Sequence, residues 1–151
     1  MKARNSVGYS LDSDVISVIA ASLPDVPTNL ITTIDGENVL ISWTPASNGG
    51  SPLTSYVILV QGSSGDFFED TTNCDGSTQT IINNNICTVP QAALQTSPFD
   101  LTWGDHVFAK VKAINVVGES AFSELGNGAH LITLPDKPIN LADNTALTDK
   151  T

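Results

Sequence analysis

The sequence predicts an all-β protein built as an antiparallel β-sandwich, and three observations predict it. Short apolar runs alternate with period two, so each run has one oily face and one polar face. Turn-forming clusters separate the runs: Asp35-Gly36, Asn48-Gly49-Gly50-Ser51-Pro52, Gly62-Ser63-Ser64-Gly65, Asp75-Gly76, Trp103-Gly104-Asp105 and Val117-Gly118. The chain also matches itself at an offset of about 110 residues, a period too long for a solenoid and right for a bead-like β domain.

The elements follow in order. Val39, Ile41 and Trp43 share one face, and Leu40, Ser42 and Thr44 the other. Tyr56, Ile58 and Val60 alternate with Val57, Leu59 and Gln61; Val107, Ala109, Val111 and Ala113 alternate with Phe108, Lys110, Lys112 and Ile114. Gln91 to Gln95 supports a short turn of helix at most. The self-match sets the domain plan. KARNSVGYSLDS (Lys2 to Ser13) aligns with KAINVVGESAFS (Lys112 to Ser123), and LPDVPTNL (Leu23 to Leu30) with LPDKPINL (Leu134 to Leu141). Residues 1–22 are therefore expected to be the last-strand fragment of a preceding repeat, 23–134 one complete domain, and 135–151 the first-strand fragment of the next. The Leu-Pro-Asp-x-Pro segments are the expected joints, each stiffened by two prolines.

Composition narrows the function. The 151 residues carry 16 acids and 6 bases, a net charge of -10. Six cations cannot line a nucleic-acid groove, and an anionic membrane surface would repel the chain. No apolar run approaches the length of a membrane span. Val15 to Ala21 behind Lys2 and Arg4 is a poor signal peptide, being very short and preceded by Asp12 and Asp14. No phosphate loop, nucleophile elbow or His-Glu-x-x-His motif is present, and no catalytic or cofactor-binding residue is assigned.

The motifs resemble those of a fibronectin type III domain. The resemblance rests on Pro27-x-x-Leu30, Val39-x-Ile41-x-Trp43-x-Pro45, Asn48-Gly49-Gly50-Ser51-Pro52-Leu53-x-x-Tyr56-x-Ile58, Leu101, and Val107-x-Ala109-x-Val111-x-Ala113-x-Asn115-x-x-Gly118-x-Ser120. It covers almost all of the central domain, and Ala3-x-Asn5-x-x-Gly8-x-Ser10 repeats its ending. It implies a seven-stranded Greek-key, immunoglobulin-like sandwich cut from a tandem-repeat extracellular protein. Two departures stand out. Val107 occupies the position of the family's corner tyrosine, whose bond cannot form here; His106 beside it should point to the opposite face. A long segment, Asp66 to Leu94, separates the third strand from the turn before Val107 and holds both cysteines. The family's Arg-Gly-Asp adhesion tripeptide is absent from Asn115-Val116-Val117-Gly118-Glu119.

Cys74 and Cys87, thirteen apart, read best as a disulfide closing a hairpin-like excursion, which implies an oxidising compartment. A zinc site finds too few ligands, since His106 and His130 lack ligand spacing, and a catalytic thiol lacks a nearby base. No metal site is assigned. Calcium is the one cofactor left open, at Asp70, Asn73, Asp75 and Gly76 or at the joint residues Asp25 and Asp136; the plainer account is a solvated acidic surface. O-linked glycans on the abundant Ser and Thr stay open too.

If Tyr56, Ile58, Val107, Ala109, Val111 and Ala113 face the core, Val57, Leu59, Phe108 and Ile114 face outward as a candidate interaction surface. Two accounts fit: docking to a neighbouring bead or copy, or covering by Phe67, Phe68, Ile81 and Ile82 of the long segment. The second is favoured, because that segment must bury its own apolar residues. The expected role is a non-enzymatic structural or adhesive module of a long extracellular or cell-surface array, with neighbouring repeats or copies as partners. Assembly into a fibre or filament, with Val15 to Ala21 adding to an open sheet edge of another copy, is a more specific form of this role. The alternative is a carbohydrate- or peptide-binding domain with Trp103 as the contact residue.

Overall fold

The computed structural model describes residues 1–132 except Ile19 and Ala46; the second joint and the expected fragment 135–151, with Asp136, lie outside the described residues. Two sheets face each other. One is ordered β1-β2-β5, from β1 (Thr28–Asp35), β2 (Asn38–Thr44) and β5 (Ile86–Pro90). The other is ordered β4-β3-β7, from β3 (Leu53–Gln61), β4 (Phe67–Glu69) and β7 (Ala109–Asn115). Every pairing is antiparallel. β6 (His106–Val107) leads into β7 past Phe108 and pairs with β8 (Ala129–His130).

The segment 119–126 runs along β7 and completes that sheet as a fourth, irregular strand. Ser120, Ser123 and Gly126 donate backbone N–H groups to Ala113, Val111 and Ala109 at 2.8–3.0 Å. Where the ladder lacks a backbone acceptor, serine supplies one: Ser120 Oγ accepts from Ala113 N at 2.9 Å and Ser123 Oγ from Val111 N at 3.1 Å. The slack has a cause. From the Ala113–Ser120 contact to the Val107–Ala129 pair, the chain advances six residues on one side and nine on the other. Extra residues on one strand break a ladder locally, as bulges do.

The alternation read from the sequence becomes the core. Val39, Ile41 and Trp43 from one sheet meet Tyr56, Ile58, Val60, Ala109, Val111 and Ala113 from the other and Val107 from β6, all buried. The Trp43 and Tyr56 rings pack edge to face with centroids 5.0 Å apart. Val107, in the tyrosine-corner position, is fully buried and leaves no polar tip to satisfy.

The long segment departs from expectation. Asp66 to Leu94 is no separate cover: it contributes β4 and β5 to the sandwich, and only the stretch around α1 (Gln79–Asn84) is extra. α1, which the sequence pattern missed, is too short to show a periodicity; its Ile81 plugs into the core. Asn85 ends it in the left-handed region, φ 56°, and its side chain accepts the Tyr56 hydroxyl at 2.9 Å. The expected helical turn is present as α2 (Gln91–Leu94).

Candidate functional site

The first 13 residues fold as a hairpin that repeats residues 111–123 bond for bond. Ser10 N donates to Ala3 O at 2.9 Å, as Ser120 N does to Ala113 O; Ser10 Oγ accepts from Ala3 N at 3.0 Å, as Ser120 Oγ does from Ala113 N. Asn5 Oδ1 accepts from Val7 N and Gly8 N at 2.9 and 3.1 Å, and Asn115 Oδ1 from Val117 N and Gly118 N at 2.8 and 3.1 Å. The same residue types at the same spacing therefore give the same local structure, once exposed and once in a sandwich.

Asn115 does more than Asn5. It is 3% exposed, and its Nδ2 donates to Ser22 O at 2.8 Å and to Asn48 O at 2.9 Å. One side chain thus ties the turn after β7, the turn before β3 and the incoming chain together. The incoming chain adds its own ties: Ser22 N donates to Gly49 O at 2.8 Å and Asp25 N to Ser47 O at 3.0 Å. Upstream of Ser22, Val15, Ile16 and Val18 are exposed and in no strand pairing.

The outer face of the β4-β3-β7 sheet is neither bare nor covered by α1. Val57, Leu59, Phe108 and Ile114 are half-buried. Lys110 and Lys112, opposite Leu59 and Val57, lie across the face. The Lys110 ammonium sits 3.9 Å from the Phe67 ring centroid and 4.8 Å from that of Phe122. Lys112 lies 5.1 Å from the Phe122 centroid and pairs with Glu119. Apolar lysine stems cover the oily side chains while their charged heads reach water or a ring face. Of the four residues expected to form the cover, Phe67 alone joins this arrangement: Phe68 packs edge-on to Phe99, Ile81 enters the core, and Ile82 packs against the core.

Trp103 is 53% exposed, on the turn before β6. It borders a groove of about 800 Å³ shared with Ile34, Glu37, Asn38, Gln95 and Ile132. Gln91 holds the groove wall, its Nε2 donating to Gly36 O and its backbone N–H to Glu37 O, both at 2.8 Å. Asp105 braces the Trp103 turn by accepting from Thr102 N and Oγ1 at 2.7 and 2.8 Å. Those two bonds hold its carboxyl below the usual range, with a smaller contribution from His106. His106 does face away from Val107, and it lies directly opposite His130.

Cys74 and Cys87 are bonded, with Cα atoms 5.4 Å apart, joining the extra stretch to β5. Asp70 and Asp75 spend their oxygens on their own turns. Asp70 accepts from Thr72 N, Asn73 N and Asn73 Nδ2, and Asp75 from Ser77 N and Oγ, which lower its pKa. Asp25 is exposed at the joint. Among the described residues, no three His, Cys, Asp or Glu side chains gather as a metal cage.

No protein-family model matches the chain. A kelch domain-containing protein of Saccharolobus solfataricus is 35% identical over 60 residues, 39% of this chain and 8% of that protein. Among solved structures, the chicken CNTN1 FN1–FN3 domains match 71% of this chain at 17% identity and a TM-score of 0.53, over 32% of their own length. The twitchin kinase region of C. elegans, whose title includes an Fn31 domain, matches 73% of this chain at 21% identity and a TM-score of 0.53, over 17% of its length. Titin domains A168–A170 match 74% at 22% identity and a TM-score of 0.53, over 33% of theirs. The chain spans a third or less of the length of each of these four proteins.

Proposed function

We propose that this chain, whose sandwich has the fibronectin type III fold, is a non-catalytic structural module of an extracellular array of such sandwiches. The observation that carries this reading is the hairpin of the first 13 residues. It reproduces the 111–123 hairpin bond for bond, yet its Asn5 lies exposed where Asn115 is locked into a sandwich. Such a hairpin is the closing part of a preceding bead. Asn115, Ser22 and Asp25 then hold the joint on its downstream side, so tension passes into the sandwich at the turns beside β3 and β7. The bonded cysteines support an oxidising compartment, outside the cell or at its surface. Neighbouring repeats or copies of the chain are its partners.

Electron microscopy of the natural material, with non-reducing mass analysis of the same sample, tests this. Expected are extended chains or fibres with an axial repeat of roughly 35–40 Å, at about 3.3 Å per strand residue, and a closed Cys74–Cys87 bridge. Dispersed monomers with free thiols would overturn both the array and the compartment.

A second reading rests on the Trp103 groove, whose exposed indole and neighbouring Glu37, Asn38 and Gln95 suit a neutral sugar or a peptide. Glycan-array binding that vanishes in Trp103→Ala, with the fold intact, would favour it; an unchanged profile would remove it.

A further inference from the structure

The geometry points to a divalent transition-metal site at the cross-strand pair His106–His130. The two histidines face each other directly across β6 and β8, with ring centroids 3.9 Å apart and planes tilted by 45°. Both rings are exposed at one edge of the sandwich, and the His106 ring also stacks on Phe108 at 5.5 Å.

The backbone sets their chemistry. His106 Nδ1 lies 2.9 Å from Gly128 O, and His130 Nδ1 lies 3.3 Å from Gly104 O. A carbonyl only accepts, so in the neutral ring Nδ1 carries the proton and Nε2 is the nitrogen a metal would bind. Metal-bound histidines are oriented this way, by the other ring nitrogen donating to a carbonyl or carboxylate. Both carbonyls come from glycines in the left-handed region, Gly104 at φ 95° and Gly128 at φ 71°. Other residues rarely adopt that backbone. Neither Nε2 makes a hydrogen bond among the described residues.

Two imidazoles on one ion at bond lengths of about 2.0–2.1 Å place their nitrogens roughly 3 Å apart, and rotation of these exposed side chains about their χ angles would bring the two Nε2 atoms to that spacing. Nitrogen ligands select Zn²⁺, Cu²⁺ or Ni²⁺ over Mg²⁺ or Ca²⁺. The net charge of -10 favours any cation. No third ligand completes the site among the described residues, so the remaining positions stay open to water or to a donor from another molecule.

The test is titration of the 151-residue chain with Zn²⁺, read by calorimetry and by the imidazole proton resonances, with Mg²⁺ as control. Saturable binding of one ion per chain is expected, with both sets of histidine resonances shifting together and no such shift with Mg²⁺. His106→Asn and His130→Asn should each weaken binding by about tenfold or more. No response to millimolar Zn²⁺ overturns the site. So does undiminished binding in either folded variant, which would place the ion on the acidic surface. Should a variant unfold, the resonance shifts of the unaltered chain decide.

Discussion

Asn115→Ala is the sharpest test of the joint, because the chain carries its own control. The substitution removes an acceptor from Val117 N and Gly118 N and a donor from Ser22 O and Asn48 O. A buried polar group left unpaired costs about 1–3 kcal/mol. With the surface-facing partners rehydrated, a loss of about 3 kcal/mol is expected. For a domain of this size that lowers Tm by roughly 10 °C. Asn5→Ala removes the same two acceptor bonds from an exposed hairpin, where surface changes stay within about 0.5 kcal/mol. Urea denaturation measures both. Amide exchange at Ser22 and Asp25, whose N–H groups are held by Gly49 O and Ser47 O, reports the joint itself. These amides should lose protection in Asn115→Ala before the core strands do. Equal costs for the two substitutions, or a joint whose protection is unchanged, would refute the argument that Asn115 couples the incoming chain to the sandwich.

Two further outcomes concern the region around α1. Reducing the Cys74–Cys87 bridge, or replacing both cysteines by serine, frees a loop of sequence separation 13 and should cost about 3 kcal/mol; thermal melts with and without reductant measure it, and superimposable melts would count against the bridge as a staple. Tyr56 has its phenol pKa raised by burial, partly offset by the Trp43 indole. The unfolded chain therefore releases this proton first, so the contribution is complete below a pH of about 10 and declines as pH rises beyond it. Tyr56→Phe should remove that alkaline slope and, at neutral pH, lose about 1 kcal/mol with the bond to Asn85. Identical slopes for the two proteins between pH 8 and 11 would contradict the burial argument.

The features legible in the sequence share a physical origin. Val39-Ile41-Trp43 and Tyr56-Ile58-Val60 announce their burial because a pleated strand sends alternate side chains to opposite faces, a local geometry written at spacing two. The hairpin of 111–123 is local as well, so its copy at 1–13 was readable as a repeat. Burying alternate side chains also left the outward partners identifiable. The spacing of thirteen between the cysteines allowed a bridge without proving one.

Other features depend on which strands meet and in what register. The lysine and phenylalanine cover needs β4 beside β3 at one end of the sheet and the segment 119–126 beside β7 at the other, bringing Phe67, Lys110 and Phe122 together from 55 residues of sequence. The His106–His130 pair has no ligand spacing, because three extra residues in the closing strand, rather than any motif, decide what stands opposite His106. Asn5 and Asn115 are indistinguishable by local pattern; only packing against Ser22 and Asn48 makes one a surface turn and the other a lock. The sequence by itself determined the central strands β2, β3 and β7, their buried faces and the repeat, since these follow from backbone geometry over a few residues, whereas β4 and β5 lay in a segment read as an insert. Tertiary structure alone decided the covered face, the histidine pair and the joint, since each is an encounter between segments whose separation along the chain carries no signal.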